Sequence, residues 1–219
     1  RINAVEQSIE IVRRRVDETG TNEPTIHRQG QDRIVVALPG LQDPERLKNL
    51  LGKTAKLNFR FVMEGADPTA SRPPAGGVIL PSQEPGPNGE PLGAYVVERR
   101  IMVGGDQLVD AQSTFDQNGL PAVAFRFDSS GAKRFADATA ENVGRLFAIV
   151  LDGQVVSAPV IREPILGGSG QITGNFGLEE ANDLAIVLRA GALPAPLTIL
   201  EERTVGPGER EAPDRAVRR

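Results

Sequence analysis

Residues 122–161 read AVAFRFDSSGAKRFADATAENVGRLFAIVLDGQVVSAPVI, and this stretch decides the fold class. Ala122 to Phe127 is apolar and aromatic enough for a strand, and Asp128-Ser129-Ser130 supplies side-chain acceptors to cap a helix running from Gly131 to about Asn142. Leu146 to Leu151 and Val155 to Ile161 are two further strands joined by Asp152-Gly153, a pair suited to the positive φ angles of a tight hairpin. Their continuous apolar character predicts burial on both faces, so the hairpin is expected at the centre of a core.

Upstream, Asn3-Ala4-Val5-Glu6 has the spacing of a capping box. Val5, Ile9, Val12 and Val16 then recur at helical intervals as far as Gly20. The run Arg13-Arg14-Arg15 is expected mainly on the solvent side, complementing the helix dipole. Thr25 to Arg28 and Arg33 to Leu38 read as a hairpin across Gln29-Gly30-Gln31-Asp32. Asp43-Pro44 opens a second helix with Leu47, Leu50 and Leu51 on one face, and Lys56 to Val62 is a strand. Helix, hairpin, helix and strand make up most of a ferredoxin-like unit, with one strand still to come from elsewhere in the chain or from upstream of Arg1.

From Glu64 to Gly93 the composition shifts to Pro68, Pro73, Pro74, Pro81, Pro85, Pro87 and Pro91 with interspersed glycines, which predicts loop. Val78-Ile79-Leu80 is a short apolar clip inside it, and Tyr95 to Val103 reads as a strand after it. Downstream of residue 161, Gly167 to Gly174 fails the spacing of a phosphate-binding loop and reads as a turn before a strand at 171–173. Leu178, Ala181, Leu184, Ala185 and Leu188 form the apolar face of a helix ending at Gly191, with Glu179 and Glu180 as dipole partners in its first turn. Ala192 to Pro196 is a stiff connector to a final strand at 197–203, placed to complete the first sheet.

The predicted fold is therefore α+β. A discontinuous ferredoxin-like base (residues 1–62 plus 197–206) carries an inserted α+β head (63–196), followed by a charged tail (207–219) expected to be disordered. Gly65, Pro194 and Pro196 are the candidate hinge.

Composition narrows the function. Net charge -4, a single Tyr and no Trp give neither the basic footprint nor the stacking platforms of nucleic-acid binding. The absence of Cys excludes disulfides and thiolate nucleophiles, and suits an oxidising compartment or a small cytosolic domain equally. The apolar runs are far shorter than a membrane span, and the chain, opening on Arg1, is expected to be a soluble piece of something larger. His27, the only histidine, has no identifiable partner, and Asp106, Asp110 and Asp116 do not match calcium-loop spacing. No catalytic or metal-ligating residue is assigned, no cofactor is expected, and the chain is not read as an enzyme.

Several stretches resemble the SecD family of bacterial protein-translocase subunits, specifically its large first periplasmic region. They are AVEQSIEIVRRRVD at 4–17, RIVVALPG at 33–40, Phe147 to Pro159, ITGNF at 172–176, ANDLA at 181–185 and LRAGALPAP at 188–196. The resemblance covers nearly the whole chain in order and departs from the family after Val205-Gly206-Pro207. It implies a module on the periplasmic side of the bacterial inner membrane, tethered through membrane helices outside this chain. Such a module works with SecF beside the SecYEG channel to help draw unfolded preprotein outward using the proton motive force. It also implies a base near the membrane and a head that moves against it, in agreement with the division above. Val78, Ile79, Leu80 and Tyr95 are the candidate contacts for emerging polypeptide. A static periplasmic scaffold for neighbouring membrane subunits is the alternative.

Overall fold

The computed structural model describes residues 2–20, 23–84 and 93–203. In chain order the elements are α1 (Ile2–Glu18), β1 (Thr25–Gln29), β2 (Arg33–Ala37), α2 (Pro44–Gly52), β3 (Leu57–Phe61), β4 (Gly77–Pro81), β5 (Ala94–Glu98) and β6 (Val103–Gly104). They continue with β7 (Leu108–Phe115), β8 (Pro121–Phe127), α3 (Ser129–Glu141), β9 (Phe147–Leu151), β10 (Gln154–Ser157), β11 (Ser169–Ile172) and α4 (Leu178–Ala190). The result is α+β with antiparallel sheets: a four-stranded sheet β10-β9-β3-β6, a three-stranded sheet β11-β8-β7, and the hairpins β1-β2 and β4-β5.

The stretch 122–161 forms as its residues dictate. Asp128 Oδ1 accepts the Gly131 amide at 2.7 Å and caps α3, which ends at Glu141 with Asn142 as its C-cap. Asp152 (φ 50°) and Gly153 (φ 81°) both take the left-handed conformation between β9 and β10. β9 is buried on both faces. Phe147 and Ile149 enter the main core, while Ala148 and Val150 enter a smaller one beneath the β4-β5 hairpin.

The partner of β9 differs from expectation. β3, expected in the sheet of the base, pairs instead with β9 from Leu57↔Leu151 to Phe61↔Phe147, and Phe59 also faces Val103 of β6. Leu57, Phe59 and Phe61 alternate on one face and are all buried. They demand an equally large apolar surface, which the β9 face and the β7-β8 sheet provide and the β1-β2 hairpin does not. Phe59 lies 5.3–5.8 Å from the rings of Phe125, Phe127, Phe135 and Phe147, within the range of favourable aromatic pairing.

A separate apolar cluster joins α1, β1 and α2 through Ile9, Val12, Val16, Ile26 and Leu47, flanked by Ile34 and Val36 of β2. The strand expected at 197–203 does not form. Leu197 packs on this cluster and Glu202 binds Lys48 of α2 at 2.6 Å, so the segment is held at α2 and leaves the β1-β2 ladder with two strands among the described residues. α1 begins at Ile2, which puts Asn3 inside the helix rather than at its cap.

Tyr95 to Val103 is two strands, β5 and β6, each with a different partner. The glycines at 167–174 serve packing, because a Cβ on Gly168 would lie 2.3 Å from the Ala132 Cβ and one on Gly170 would lie 2.7 Å from the Phe125 ring. Within the breaker-rich segment, β4 forms from the Val78-Ile79-Leu80 clip. Residues 85–92 and the expected tail lie outside the described residues. No helix among the described residues is long and apolar enough to cross a membrane.

Candidate functional site

The chain leaves the α1-β1-β2-α2 cluster through Lys53 to Lys56 and returns through Gly191 to Pro196. The outbound segment is held against the hairpin turn of the larger unit, where the Asp152 carboxylate accepts the amides of Ala55 at 3.0 Å and Lys56 at 2.8 Å. Ala55 takes φ 56°, a conformation a β-carbon disfavours, and these contacts hold it there. The two crossings are bound to each other by Leu193 N donating to Thr54 O at 2.9 Å, and Leu193 is buried.

At the centre of this junction lies Arg15, whose side chain is fully buried (0 % exposed). Its Nη1 donates to the carbonyls of Leu50 at 2.7 Å, Leu51 at 3.4 Å and Lys53 at 2.5 Å, which close the C-terminus of α2. Its Nη2 donates to Gly191 O at 3.2 Å, at the C-terminus of α4. Helix C-termini carry partial negative charge and unsatisfied carbonyls, so one guanidinium serves two helix ends. Burial lowers the Arg15 pKa to about 10, partly offset by the nearby Asp152 carboxylate, so the group stays protonated at neutral pH. The sequence reading places the whole Arg13-Arg14-Arg15 run mainly in solvent, and only Arg13 and Arg14 are exposed. The signal was the spacing: three residues after Val12 and one before Val16, Arg15 falls on the buried face of α1.

Around this buried centre Leu50 of α2 enters the apolar cluster that includes Leu184 and Leu188 of α4, and the remaining contacts between the two units are charged. Arg189 of α4 donates to Glu18 of α1 at 2.5 and 2.9 Å and to Ala111 O of β7 at 2.9 Å. Arg46 of α2 binds Asp183 of α4 at 2.8 and 3.0 Å and lies 3.3 Å from Glu179. Glu180 accepts the Gly177 amide at 2.9 Å, so the adjacent acids of α4 diverge into a cap and an ion pair and do not converge on a common centre.

Between α1 and the end of α4 lies an open depression of about 450 Å³ bordered by Arg14, Asp17, Glu18 and Arg189. A second, of about 340 Å³, reaches from Glu10 and Arg14 to Pro194.

Pro194 and Pro196 are exposed on the return connector, beside the α1-α4 seam. Gly65 sits in an exposed turn (φ 75°) on the far side of β3, which separates it from the crossing at 53–56. Val78 and Leu80 of β4 and Tyr95 of β5 are half-buried against Val62, Val97, Ala148 and Val150, and Ile79 lies between them on β4. The Tyr95 hydroxyl donates to Glu84 Oε2 at 2.7 Å, and burial followed by that carboxylate pushes the phenol up to about 12.

His27 is exposed on β1. Asp116 accepts the amides of Asn118 and Leu120 within its own turn, and Asp110 faces Arg126. No group of three His, Cys, Asp or Glu side chains suited to a metal ion occurs among the described residues.

Comparison with known proteins gives concordant matches. A family model described as the N-terminal part of the P1 domain of protein translocase subunit SecDF matches residues 5–64, and one described as the SecDF P1 head subdomain matches 79–195. Protein translocase subunit SecD of Rhodobacter capsulatus is 53% identical over 204 residues, covering 93% of this chain and 36% of that protein. The SecD of Rickettsia bellii is 49% identical over 206 residues, covering 93% of this chain and 39% of that protein.

The chain thus spans little more than a third of the length of these relatives. A crystal structure of SecDF in a super-membrane-facing form superposes with a TM-score of 0.75 at 36% identity, over 92% of this chain and 28% of that one. A structure of a membrane component SecDF that enhances protein export also gives a TM-score of 0.75, at 34% identity over 94% of both chains.

Proposed function

This chain belongs to the SecD family of protein-translocase subunits, and from that premise we propose that it is the periplasmic base-and-head module of a Sec accessory subunit. The module transiently holds preprotein emerging from the SecYEG channel and, with SecF, converts the proton motive force into movement of head against base. It is tethered to the inner membrane through helices outside this chain.

The observation that carries this reading is the contrast between the cores and the seam that joins them. Apart from Leu50 of α2 and Ala55, which enter the core of the larger unit, each unit closes its own apolar cluster, and α1 and α2 otherwise meet α4 through guanidinium groups, carbonyls and carboxylates beside open depressions. Apolar burial more extensive than that of Leu50 would weld the units. Exposed ion pairs such as Arg189–Glu18 are each worth only about 0–1 kcal/mol and exchange readily for water, while Arg46–Asp183, whose carboxylate is buried, holds more firmly, so the units can shift against each other while the crossings stay bound.

The base-head boundary is proposed to run through Lys53 to Lys56 and Gly191 to Pro196. Pro194 and Pro196 stiffen the return strand, and Gly65 is left to adjust the loop beyond β3. Val78, Ile79, Leu80 and Tyr95 contact polypeptide in this proposal through whatever the β4-β5 hairpin exposes.

The multiple bonds of Arg15 favour the alternative of a rigid scaffold, and one experiment separates the two. Glu18→Cys with Arg189→Cys, joined by a reducible bis-maleimide in an otherwise cysteine-free SecD, is expected to stop preprotein export until reductant is added. Export at the uncrosslinked rate with the link intact would establish the scaffold instead.

A further inference from the structure

The four hydrogen bonds of Arg15 are not equivalent. Three go to carbonyls of the N-terminal unit, at Leu50, Leu51 and Lys53, and all come from Nη1. The fourth, from Nη2 to Gly191 O, is the link to the larger unit, and at 3.2 Å it is longer than the bonds to Leu50 and Lys53. The Nε–H, although buried, makes no hydrogen bond, so the guanidinium keeps a donor in reserve.

Arg15 is also flanked by two ion pairs that join the same two units. Arg189–Glu18 links α4 to α1, and Arg46–Asp183 links α4 to α2. Both involve partly exposed guanidinium groups, 33% and 39% accessible, whereas Arg15 is sealed from solvent.

We infer that Arg15 is the pivot between the two units. Its guanidinium is fixed to the α2 C-terminus and holds the α4 C-terminus by an exchangeable contact, while Arg189–Glu18 and Arg46–Asp183 are outer latches that select one orientation. At Arg15 itself, turning α4 costs one bond, that to Gly191, and a protonated guanidinium with an unused N–H can offer a donor to a neighbouring carbonyl of the same terminus as the helix moves. The fork geometry is what the role requires, because a lysine ammonium is a point donor on a flexible stem and cannot span both helix ends as a rigid body. Glu18 and both latch guanidinium groups are open to water and salt, with Asp183 alone buried, so salt weakens the latches without disturbing the centre.

This inference rests on the reading that the units move, and its test is read by distance rather than by export. Spin labels at Gln31→Cys in the β1-β2 turn and Glu163→Cys in the larger unit, both exposed sites, report the separation of the units in full-length SecD in lipid nanodiscs. The expected wild-type result is a narrow distance distribution at low salt that gains a second population at high salt. Glu18→Gln with Asp183→Asn is expected to show that second population already at low salt and to respond no further. Arg15→Lys is expected to broaden the distribution at every salt concentration while the amides of β1-β2 and β9 keep their hydrogen-exchange protection.

An Arg15→Lys distribution as narrow as wild type would overturn the assignment. So would loss of β1-β2 protection in that variant, which would make Arg15 an internal support of the N-terminal unit. Free export by the crosslinked protein, with Arg15→Lys still broadening the distances, would instead remove the functional reading and leave the pivot standing.

Discussion

Replacing Phe59 with alanine tests which unit owns β3. Phe59 is 1% exposed and touches four other phenyl rings, which also contact one another: Phe125–Phe127 at 5.2 Å, Phe127–Phe135 at 5.3 Å and Phe135–Phe147 at 5.8 Å. Truncating a buried Phe to Ala costs about 3–5 kcal/mol, the upper part of the range applying where the cavity cannot collapse. Here the surrounding rings are pinned on β8, α3 and β9, and aromatic pairs contribute about 0.5–1.5 kcal/mol beyond burial, so about 4 kcal/mol is expected. At about 1.4 kcal/mol per tenfold, the open state of the larger unit becomes roughly a thousandfold more populated.

Native-state hydrogen exchange reads this residue by residue. The amides of Phe59, Phe125 and Ile149 are expected to lose protection by that factor while those of Ile26 and Val36 keep theirs. Leu47→Ala in α2 is the converse, losing about 2–5 kcal/mol and exposing the β1-β2 amides instead. If Phe59→Ala releases β1-β2 and spares β9, β3 belongs to the base sheet and the pairing described here is wrong. If both regions lose protection equally, the chain unfolds as one cooperative body and the two-unit reading fails.

Further outcomes are expected at three positions. Gly168→Ala places a methyl 2.3 Å from the Ala132 Cβ at φ 62° and should cost about 2–5 kcal/mol from strain and overpacking together, whereas Gly119→Ala, with open space at φ 75°, should cost only about 1–2 kcal/mol; urea midpoints compare them. Asp152→Ala removes the acceptor for two amides at the crossing and should destabilise by about 1–3 kcal/mol, with Asp152→Asn milder because it keeps one acceptor oxygen and tolerates positive φ.

Tyr95 is the only tyrosine and there is no tryptophan, so its phenolate absorbance can be followed alone, and it should titrate near 12 instead of near 10. A phenol whose folded pKa is raised contributes stability that is fully present below the unfolded value of about 10 and is lost as pH rises toward 12. Tyr95→Phe should abolish that alkaline loss, and Glu84→Gln should move the titration back toward the ordinary value.

The sequence by itself determined the elements whose cause is local. The Asp128 cap, the positive-φ pair Asp152-Gly153, the apolar stripe of α4 and its stop at Gly191 depend on residues within a turn or two, so spacing and side-chain type were sufficient. The motifs at 4–17 and 188–196 likewise carried the family. Tertiary structure alone decided where β3 belongs, because alternating Leu57, Phe59 and Phe61 state that one face is buried but not against which surface. Its partner, β9, lies some ninety residues on and was selected by matching bulk.

The same holds for the strand expected at 197–203, whose pattern permits pairing that its contacts with the α1 cluster and Lys48 replace. Arg15 is the clearest case. The helical spacing put it on the buried face of α1, but a charge there is tolerable only if carbonyls surround it. Those carbonyls come from positions 35 to 176 residues away, brought together by the packing of α2 and α4 against α1.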